Sequence, residues 1–166
     1  MKIKTPVLTE VVRRLKVGDR VEISGPIYTG RDAALPKLCR AIEKGELPKL
    51  GLQLEGAVIF HTAVSPAGIG PTTSNKVEIE GSIPVLSRAG VRIHLGKGAL
   101  SAETVKVLQE TGAVFMVTPP VTALFMNSVR SFRVAAFPED GMEAMHELVV
   151  EDLPAIVAIA HGESIF

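Results

Sequence analysis

Three glycine-marked segments of the sequence carry residue types that could bind a small anion. They are SGPIYTGRDAA at 24–34, GIGPTTSNK at 68–76 and HLGKGALS at 94–101. Each contains one cation, namely Arg31, Lys76 or Lys97. Glycine lets the backbone approach a ligand closely, and an arginine can hold a carboxylate through two parallel hydrogen bonds. The residues therefore predict a site for a small carboxylate or phosphate.

The elements that precede these segments must bring them together. Each segment follows a strand-like pattern, and a helical pattern follows at least two of them. In α/β folds, binding sites gather at the carboxyl ends of strands, where a helix N-terminus adds N–H groups and partial positive charge. Two simpler interpretations stay open. Arg31 and Asp32 also suit the start of a helix, and Thr72, Thr73 and Ser74 also suit an ordinary turn or cap.

Helical and strand patterns alternate along the chain, which predicts an α/β fold. Helical spacing or capping signals occur at 8–15, 31–46, 77–90 and 101–112. Short apolar or alternating runs typical of strands occur at 19–25, 56–63, 91–98, 113–120, 131–137 and 153–164. The first strand is expected to end at Gly25. Residues 139–150 are expected to form a helix, or a helix followed by a strand.

Composition limits the partners that the chain can have. Its 166 residues predict a single domain, 1–166, with a core built mainly from Val, Ile, Leu and Ala. Equal numbers of basic and acidic residues argue against a nucleic-acid partner. The longest apolar run, at 153–160, is far shorter than the roughly 20 residues of a membrane helix. With no cleavage pattern at the start, we expect a cytoplasmic protein without a membrane partner.

Several kinds of chemistry lack their sequence signatures. There is no nucleophile elbow, and the GKG segment lacks the upstream glycine of a phosphate-binding loop. The four histidines are scattered without ligand spacing, so we expect no metal site from this chain alone. The one cysteine, Cys39, can form neither an internal disulfide nor the several thiolates of an iron–sulfur cluster. We interpret it as a small buried side chain.

The three segments, in this order and spacing, resemble the β subunit or carboxy-terminal domain of the iron–sulfur class I fumarases and L-tartrate dehydratases. The motifs are SGPIYTGRDAA, GPTTS and GKG, and the likeness runs from about residue 8 to 160. It implies a swivelling β/β/α domain with mixed sheets and flanking helices. It also implies a hydro-lyase acting on a small dicarboxylic hydroxy acid, active only with an α subunit in an α2β2 assembly. The α subunit would supply three cysteines and a four-iron four-sulfur cluster.

The resemblance also implies roles for individual residues. Arg31, in the GRDA match, would bind a substrate carboxylate. Thr72, the first threonine of GPTTS, would take the C3 proton, while Thr73 and Ser74 would hydrogen-bond the substrate or shape the loop. Lys97, in GKG, would supply positive charge for a carboxylate or for the anion left by proton loss.

The chain departs from the family pattern at two positions. Lys76 stands where the family usually has arginine, so a substrate-binding charge is kept without the bidentate fork. Leu35 stands where the family usually has histidine, so a polar neighbour of Arg31 is absent. An alternative function is therefore a non-catalytic carboxylate-binding or assembly module derived from the family. Another is a nucleotide-phosphate binder that uses GKGALS at a helix start.

Overall fold

In a computed structural model of the chain, the structure describes residues 1–65, 68–69, 76–118 and 127–166. The α-helices, in chain order, are α1 Thr9–Arg14, α2 Ala34–Glu43, α3 Lys76–Arg88 and α4 Ala102–Thr111. The strands are β1 Lys2–Lys4, β2 Arg20–Gly30, β3 Val58–His61, β4 Val64–Ser65, β5 Gly68–Ile69, β6 Ile93–Gly96, β7 Val114–Val117, β8 Val129–Ala136, β9 Met145–Ala160 and β10 Glu163–Ser164. Two 3₁₀ turns cover Leu47–Leu50 and Pro138–Glu143.

The predicted α/β fold is confirmed, with a mixed sheet of eight strands in the described part of the chain. Strands β2, β3, β6 and β7 run parallel to one another in that order. Strand β9 runs antiparallel to β7 and also to β2, so the pairings return to their starting strand and close a ring of five strands. Strands β1, β8 and β10 extend the sheet outside this ring.

Alternate residues of the parallel strands build two apolar layers. Val58 and Phe60 of β3 belong to the cluster that the ring of strands encloses, together with buried residues of β6, β7 and β9. Ile59, which points to the opposite face, packs against α2 and α3 instead. Phe115 of β7 likewise faces outward, against α4. Side chains alternate between the two faces of a strand, so these strands are covered on both sides, as their almost purely apolar sequences predict.

Most of the predicted elements are confirmed. Helix α4 begins after Ser101, whose hydroxyl accepts the Thr104 N–H at 3.3 Å, and it ends at Gly112, as expected. Helix α2 carries Pro36 in its first turn, where a proline is tolerated. No helix in the described ranges is long and apolar enough to cross a membrane.

The prediction that the first strand ends at Gly25 is wrong, because β2 continues to Gly30. Gly25 has φ +114°, and the register with β9 shifts between Ile23 and Gly25. A Cβ at Gly25 would lie 2.3 Å from the Thr5 hydroxyl oxygen. The glycine therefore marks a β-bulge inside a strand rather than its end. Most of segment 24–34, which we expected to follow a strand, is itself part of β2.

The interpretation of residues 139–164 also needs correction. Residues 139–143 lie in the 3₁₀ turn Pro138–Glu143, which agrees with a helix followed by a strand. That strand and residues 153–160 of the strand predicted at 153–164 are one element, β9, whereas residues 163–164 form the separate strand β10. Asp152 has φ +53° inside β9, and its N–H donates to the Ser24 hydroxyl at 2.9 Å. This irregularity and Pro154 interrupt the sequence pattern, whereas pairing with β2 before and after Asp152 keeps the strand continuous.

Candidate functional site

The carboxyl ends of the four parallel strands lie at one edge of the sheet. The last residue of β2, Gly30, is paired with His61, and the last residues of β6 and β7 are paired with each other. Because Phe60 is paired with Leu95, His61 also lies level with Gly96. The residues that follow the strands therefore leave the sheet side by side. They are Arg31, Thr62, Lys97 and Thr118.

Two of the predicted site residues are thus brought to the same edge, since Arg31 follows β2 and Lys97 follows β6. Arg31 is half-buried and Lys97 is exposed. Lys76 is the first residue of α3. Thr72, Thr73 and Ser74 lie outside the described residues. Two polar residues that the sequence did not single out, Thr62 and Thr118, are buried beside the cations.

Hydrogen bonds and ion pairs connect the turn that carries Arg31, helix α2 and the 3₁₀ turn Pro138–Glu143. The Leu35 N–H donates to the Arg31 carbonyl at 2.9 Å, and the Ala33 N–H donates to Glu143 Oε1 at 3.3 Å. Lys37 of α2 forms ion pairs with Asp140 at 2.7 Å and Glu139 at 3.4 Å. The hydrogen bond to Asp140 raises the pKa of Lys37. These contacts hold the backbone of Arg31 at a defined place beside the strand end.

Leu35, one of the departures from the family pattern, is a packing residue. Its side chain is buried in the cluster between α2 and β3. It lies directly over Gly30, where a Cβ would be 2.5 Å from Leu35 Cδ2 and 2.9 Å from its Cγ. The glycine is needed here because α2 approaches the strand end closely. Leucine at this position therefore fixes the helix that follows Arg31 through apolar contact rather than through a polar group.

We predict that Gly30→Ala lowers the free energy of unfolding by about 1–3 kcal/mol, since an added methyl group overpacks a buried contact. Gly81→Ala is the matched control, because a Cβ at Gly81 meets nothing within 4 Å; in helix α3 it should be neutral or stabilising. Urea unfolding measures both. In a double-mutant cycle, Leu35→Ala should relieve part of the cost of Gly30→Ala. Strict additivity would show that the Leu35 contact is not the cause.

The start of α4, just beyond Lys97, already holds an internal carboxylate. Glu80 of α3 accepts a hydrogen bond from the Ser101 N–H and another from the Thr104 hydroxyl at 3.1 Å. The Ser101 hydroxyl caps the same helix. A carboxylate is stabilised at this position by the exposed N–H groups and the helix dipole. The site that a nucleotide phosphate would need at GKGALS is therefore filled by the chain's own side chain.

A buried histidine pair lies at the same edge of the sheet, against α3. His61 Nε2 is 3.2 Å from His94 Nδ1, and His94 Nε2 is 2.9 Å from the Ser87 hydroxyl. Burial lowers the pKa of His61 to about 4. Burial, together with the neighbouring His61, holds the pKa of His94 well below its usual range. Both imidazoles are therefore neutral at pH 7. Of the two ring nitrogens that face each other, one donates and the other accepts a hydrogen bond.

The sequence did not reveal this pair, because it shows only two histidines in separate strand patterns. They meet because His94 is paired with Ile59, so that His61 and His94 are diagonal neighbours on the same face of parallel strands. Knowledge of the register, rather than of either residue, was the missing signal. Within the described residues, His61 Nδ1 and the Thr118 hydroxyl oxygen are buried without a hydrogen-bond partner.

The residues that the structure describes offer one thiol and no grouped set of ligands for an iron–sulfur cluster. In the part of the chain that the structure describes, no three His, Cys, Asp or Glu side chains are grouped so that they could hold a metal ion. The one cysteine is buried, as predicted, and burial raises the pKa of the Cys39 thiol to about 11. A thiol with so high a pKa is a poor source of the thiolate that a metal requires.

Comparison with known proteins identifies the family. The family model described as Fumarase C-terminus matches residues 1–166, and the chain belongs to this family. A Methanocaldococcus jannaschii protein provisionally named L(+)-tartrate dehydratase subunit beta is 36% identical over 172 residues, covering 93% of this chain and 85% of that protein. The anaerobic class I fumarate hydratase of Escherichia coli is 31% identical over 153 residues, covering 86% of this chain and 27% of that protein.

The relatives differ greatly in length relative to this chain. A Geobacillus stearothermophilus protein provisionally named fumarate hydratase class I is 30% identical over 177 residues, covering 98% of this chain but 33% of that protein. The chain thus spans most of the tartrate dehydratase subunit and about a third or less of the two fumarate hydratases. The predicted resemblance to both groups is confirmed.

Proposed function

We propose that this chain is the β subunit of a two-subunit hydro-lyase that reversibly adds water to, or removes it from, a small dicarboxylic hydroxy acid. The substrate is either the fumarate–malate pair or tartrate, which is dehydrated to oxaloacetate. The observation that carries the proposal is the match to a relative named as a β subunit along 85% of its length. The cations Arg31 and Lys97 at one edge of the sheet support it, because a diacid offers two carboxylates.

In this proposal Arg31 binds one substrate carboxylate through its planar guanidinium. The half-buried turn of Arg31 and its links to Glu143 and α2 favour a fixed orientation for that contact. Lys97 faces the second carboxylate or stabilises the anion that forms when the C3 proton leaves. Lys76, at the start of α3, adds a further positive charge for substrate binding.

Thr72 is the group that takes the C3 proton, and Thr73 and Ser74 hydrogen-bond the substrate or shape the loop around it. A threonine hydroxyl is a weak base in water, so its activation depends on a site from which water is excluded. Lys97 is exposed in this chain by itself. We infer that a partner covers this edge of the sheet and completes that exclusion.

The partner in this proposal is a cluster-bearing α subunit, assembled with this chain as α2β2 in the cytoplasm. The four-iron four-sulfur cluster belongs to the α subunit, since this chain offers one buried thiol for it. The chain itself forms a single swivelling domain, 1–166, that closes over the substrate. Isolated, it is expected to fold, to bind no metal and to turn over no substrate.

Co-purification tests the partner proposal. The chain is tagged, co-expressed anaerobically with an α subunit encoded in the same genome, and purified on the tag. We expect an α chain to co-purify in an amount equal to that of the tagged chain, together with iron and sulfide. We expect neither iron nor sulfide when the chain is expressed alone. Iron and sulfide bound to the chain expressed alone, or the absence of any co-purifying α chain, would contradict the proposal. A complex without turnover would favour the non-catalytic assembly module.

A further inference from the structure

Glu80 links the two helices that begin beside the candidate site. It lies on α3, four residues after Lys76, and its carboxylate reaches the first turn of α4. There Oε1 accepts hydrogen bonds from the Ser101 N–H and from the Thr104 hydroxyl at 3.1 Å. Ser101 in turn is four residues after Lys97. One side chain therefore connects the helix that begins at Lys76 to the loop that presents Lys97.

Capping of α4 alone does not account for this arrangement. The Ser101 hydroxyl already accepts the Thr104 N–H at 3.3 Å and lies 3.1 Å from the Thr104 hydroxyl oxygen, so the helix has its own cap. Glu80 comes from a different helix, and it binds the backbone of Ser101 itself. A hydrogen bond between a carboxylate and an N–H group is stronger than a neutral one. Its effect is to fix where the loop ends relative to α3.

The loop needs such a fixed point. Lys97, Gly98 and Ala99 are exposed, and the preceding strand ends at Gly96. Between that strand end and the start of α4, the Glu80 contact holds the last residue of the loop. A charged group that binds a reacting substrate must be held within a fraction of an ångström of its productive position.

We propose that Glu80 is a positioning residue: by holding Ser101 and Thr104, it sets the place of Lys97 relative to the start of α3. The functional consequence rests on the proposed role of Lys97 in substrate binding. The structural consequence, an ordered 97–101 loop, does not depend on that role. Glu80 is proposed to act on the substrate only through Lys97 and to make no contact with it.

The test uses three variants in the co-purified complex. Glu80→Ala removes the link, whereas Glu80→Gln keeps a carbonyl oxygen that can accept both hydrogen bonds. Glu103→Ala is the matched control, since Glu103 is an exposed acidic residue of the same first turn of α4. We expect kcat/KM for the diacid to fall about ten- to a hundredfold in Glu80→Ala. It should stay within about threefold of the parent protein in Glu80→Gln and Glu103→Ala.

A double variant separates positioning from a general loss of structure. If Glu80 acts through Lys97, Glu80→Ala should have little further effect on kcat/KM in a Lys97→Ala background. Equal effects of Glu80→Ala in both backgrounds would overturn the proposal. Where Glu80→Ala weakens folding, Thr104→Val removes one of the two hydrogen bonds at nearly constant volume and should give a smaller effect in the same direction.

Amide hydrogen exchange on the full chain supplies a readout that does not require activity. Exchange of the Ser101 amide, whose N–H donates to Glu80, should become at least about tenfold faster in Glu80→Ala, while exchange in β6 is unchanged. Unchanged exchange at Ser101 would overturn the positioning role even if activity fell. If exchange becomes faster but the complex with the unmutated chain turns over no diacid, the positioning role stands and the proposed function is rejected.

Discussion

Replacing Thr72 by alanine is expected to lower kcat of the co-purified complex by about 10²- to 10⁴-fold, the usual contribution of a positioned acid or base. The proposed reaction begins or ends with proton transfer at C3, and an alanine offers no atom that can accept that proton. KM should change little, because the proposed carboxylate contacts come from Arg31 and Lys97. The measurement is steady-state turnover of the diacid by the complex, with protein concentration corrected for bound iron.

Thr72→Ser is the matched control, since it retains a hydroxyl at the same position and should keep a measurable part of the activity. Thr73→Ala tests whether the neighbouring hydroxyl only assists binding, and it should raise KM more than it lowers kcat. An unchanged kcat in Thr72→Ala would remove Thr72 from the reaction. An equally large loss in Thr72→Ser would point to the methyl group and to packing of the loop instead.

Acid is expected to destabilise the chain through the buried histidine pair. In the folded chain, burial lowers the pKa of His61 to about 4, and burial together with the neighbouring His61 holds the pKa of His94 well below the usual value of about 6.5. Between pH 6.5 and 4 the unfolded chain therefore binds protons that the folded chain does not. The full contribution of the pair to the free energy of unfolding is present above pH 6.5. Protonation of His61 should remove up to about 1.4 kcal/mol for each pH unit between 6.5 and 4, and His94 should add a loss in the same direction.

Urea unfolding at pH 7.5, 6 and 5 measures this loss. The paired variant His61→Leu with His94→Leu should show a flatter dependence on pH, because replacing both partners by apolar groups removes the titration without leaving one imidazole unpaired. His161→Asn is the control, since His161 is exposed and asparagine tolerates its φ of +52°. The steep dependence should persist in the control. Its persistence in the paired variant would assign the effect to other groups.

Nuclear magnetic resonance of the folded chain provides a second measurement of the same effect, which does not require the paired variant to fold. The ring protons of His61 and His94 should show little titration between pH 7.5 and 5, because burial lowers the pKa of both rings. An ordinary titration of His61 or His94 in the folded chain would contradict the account of the buried pair.

Local sequence signals predicted the elements whose ends are set locally. Helix α4 is bounded by Ser101 and Gly112, which act within one turn of the helix, and both ends were found where expected. The ends of β2 and β9 depend on partners that are distant in sequence. Gly25 lies in a bulge opposite β9, and pairing with β2 before and after Asp152 keeps β9 continuous. Local patterns do not contain that information.

The candidate site likewise has features that follow from local sequence rules and features that depend on distant contacts. That Arg31 and Lys97 share one edge followed from the general rule for the ends of parallel strands, and the register agrees with it. The histidine pair and the Glu80 link required knowledge of which residues lie diagonally across strands or on facing helices. From the sequence, leucine at position 35 was interpreted as the loss of a polar neighbour of Arg31. The structure shows that Leu35 packs α2 onto Gly30.

The most direct test of the proposed function is an anaerobic assay of the co-purified complex with both substrates. Loss of fumarate absorbance and formation of oxaloacetate from tartrate are followed in the same preparation. We expect turnover of one of these acids, abolished or severely reduced by Arg31→Ala in this chain. A complex that contains the α subunit and its iron and sulfide but turns over neither acid would contradict the proposed activity. Equal activity of the Arg31→Ala complex would contradict the proposed site.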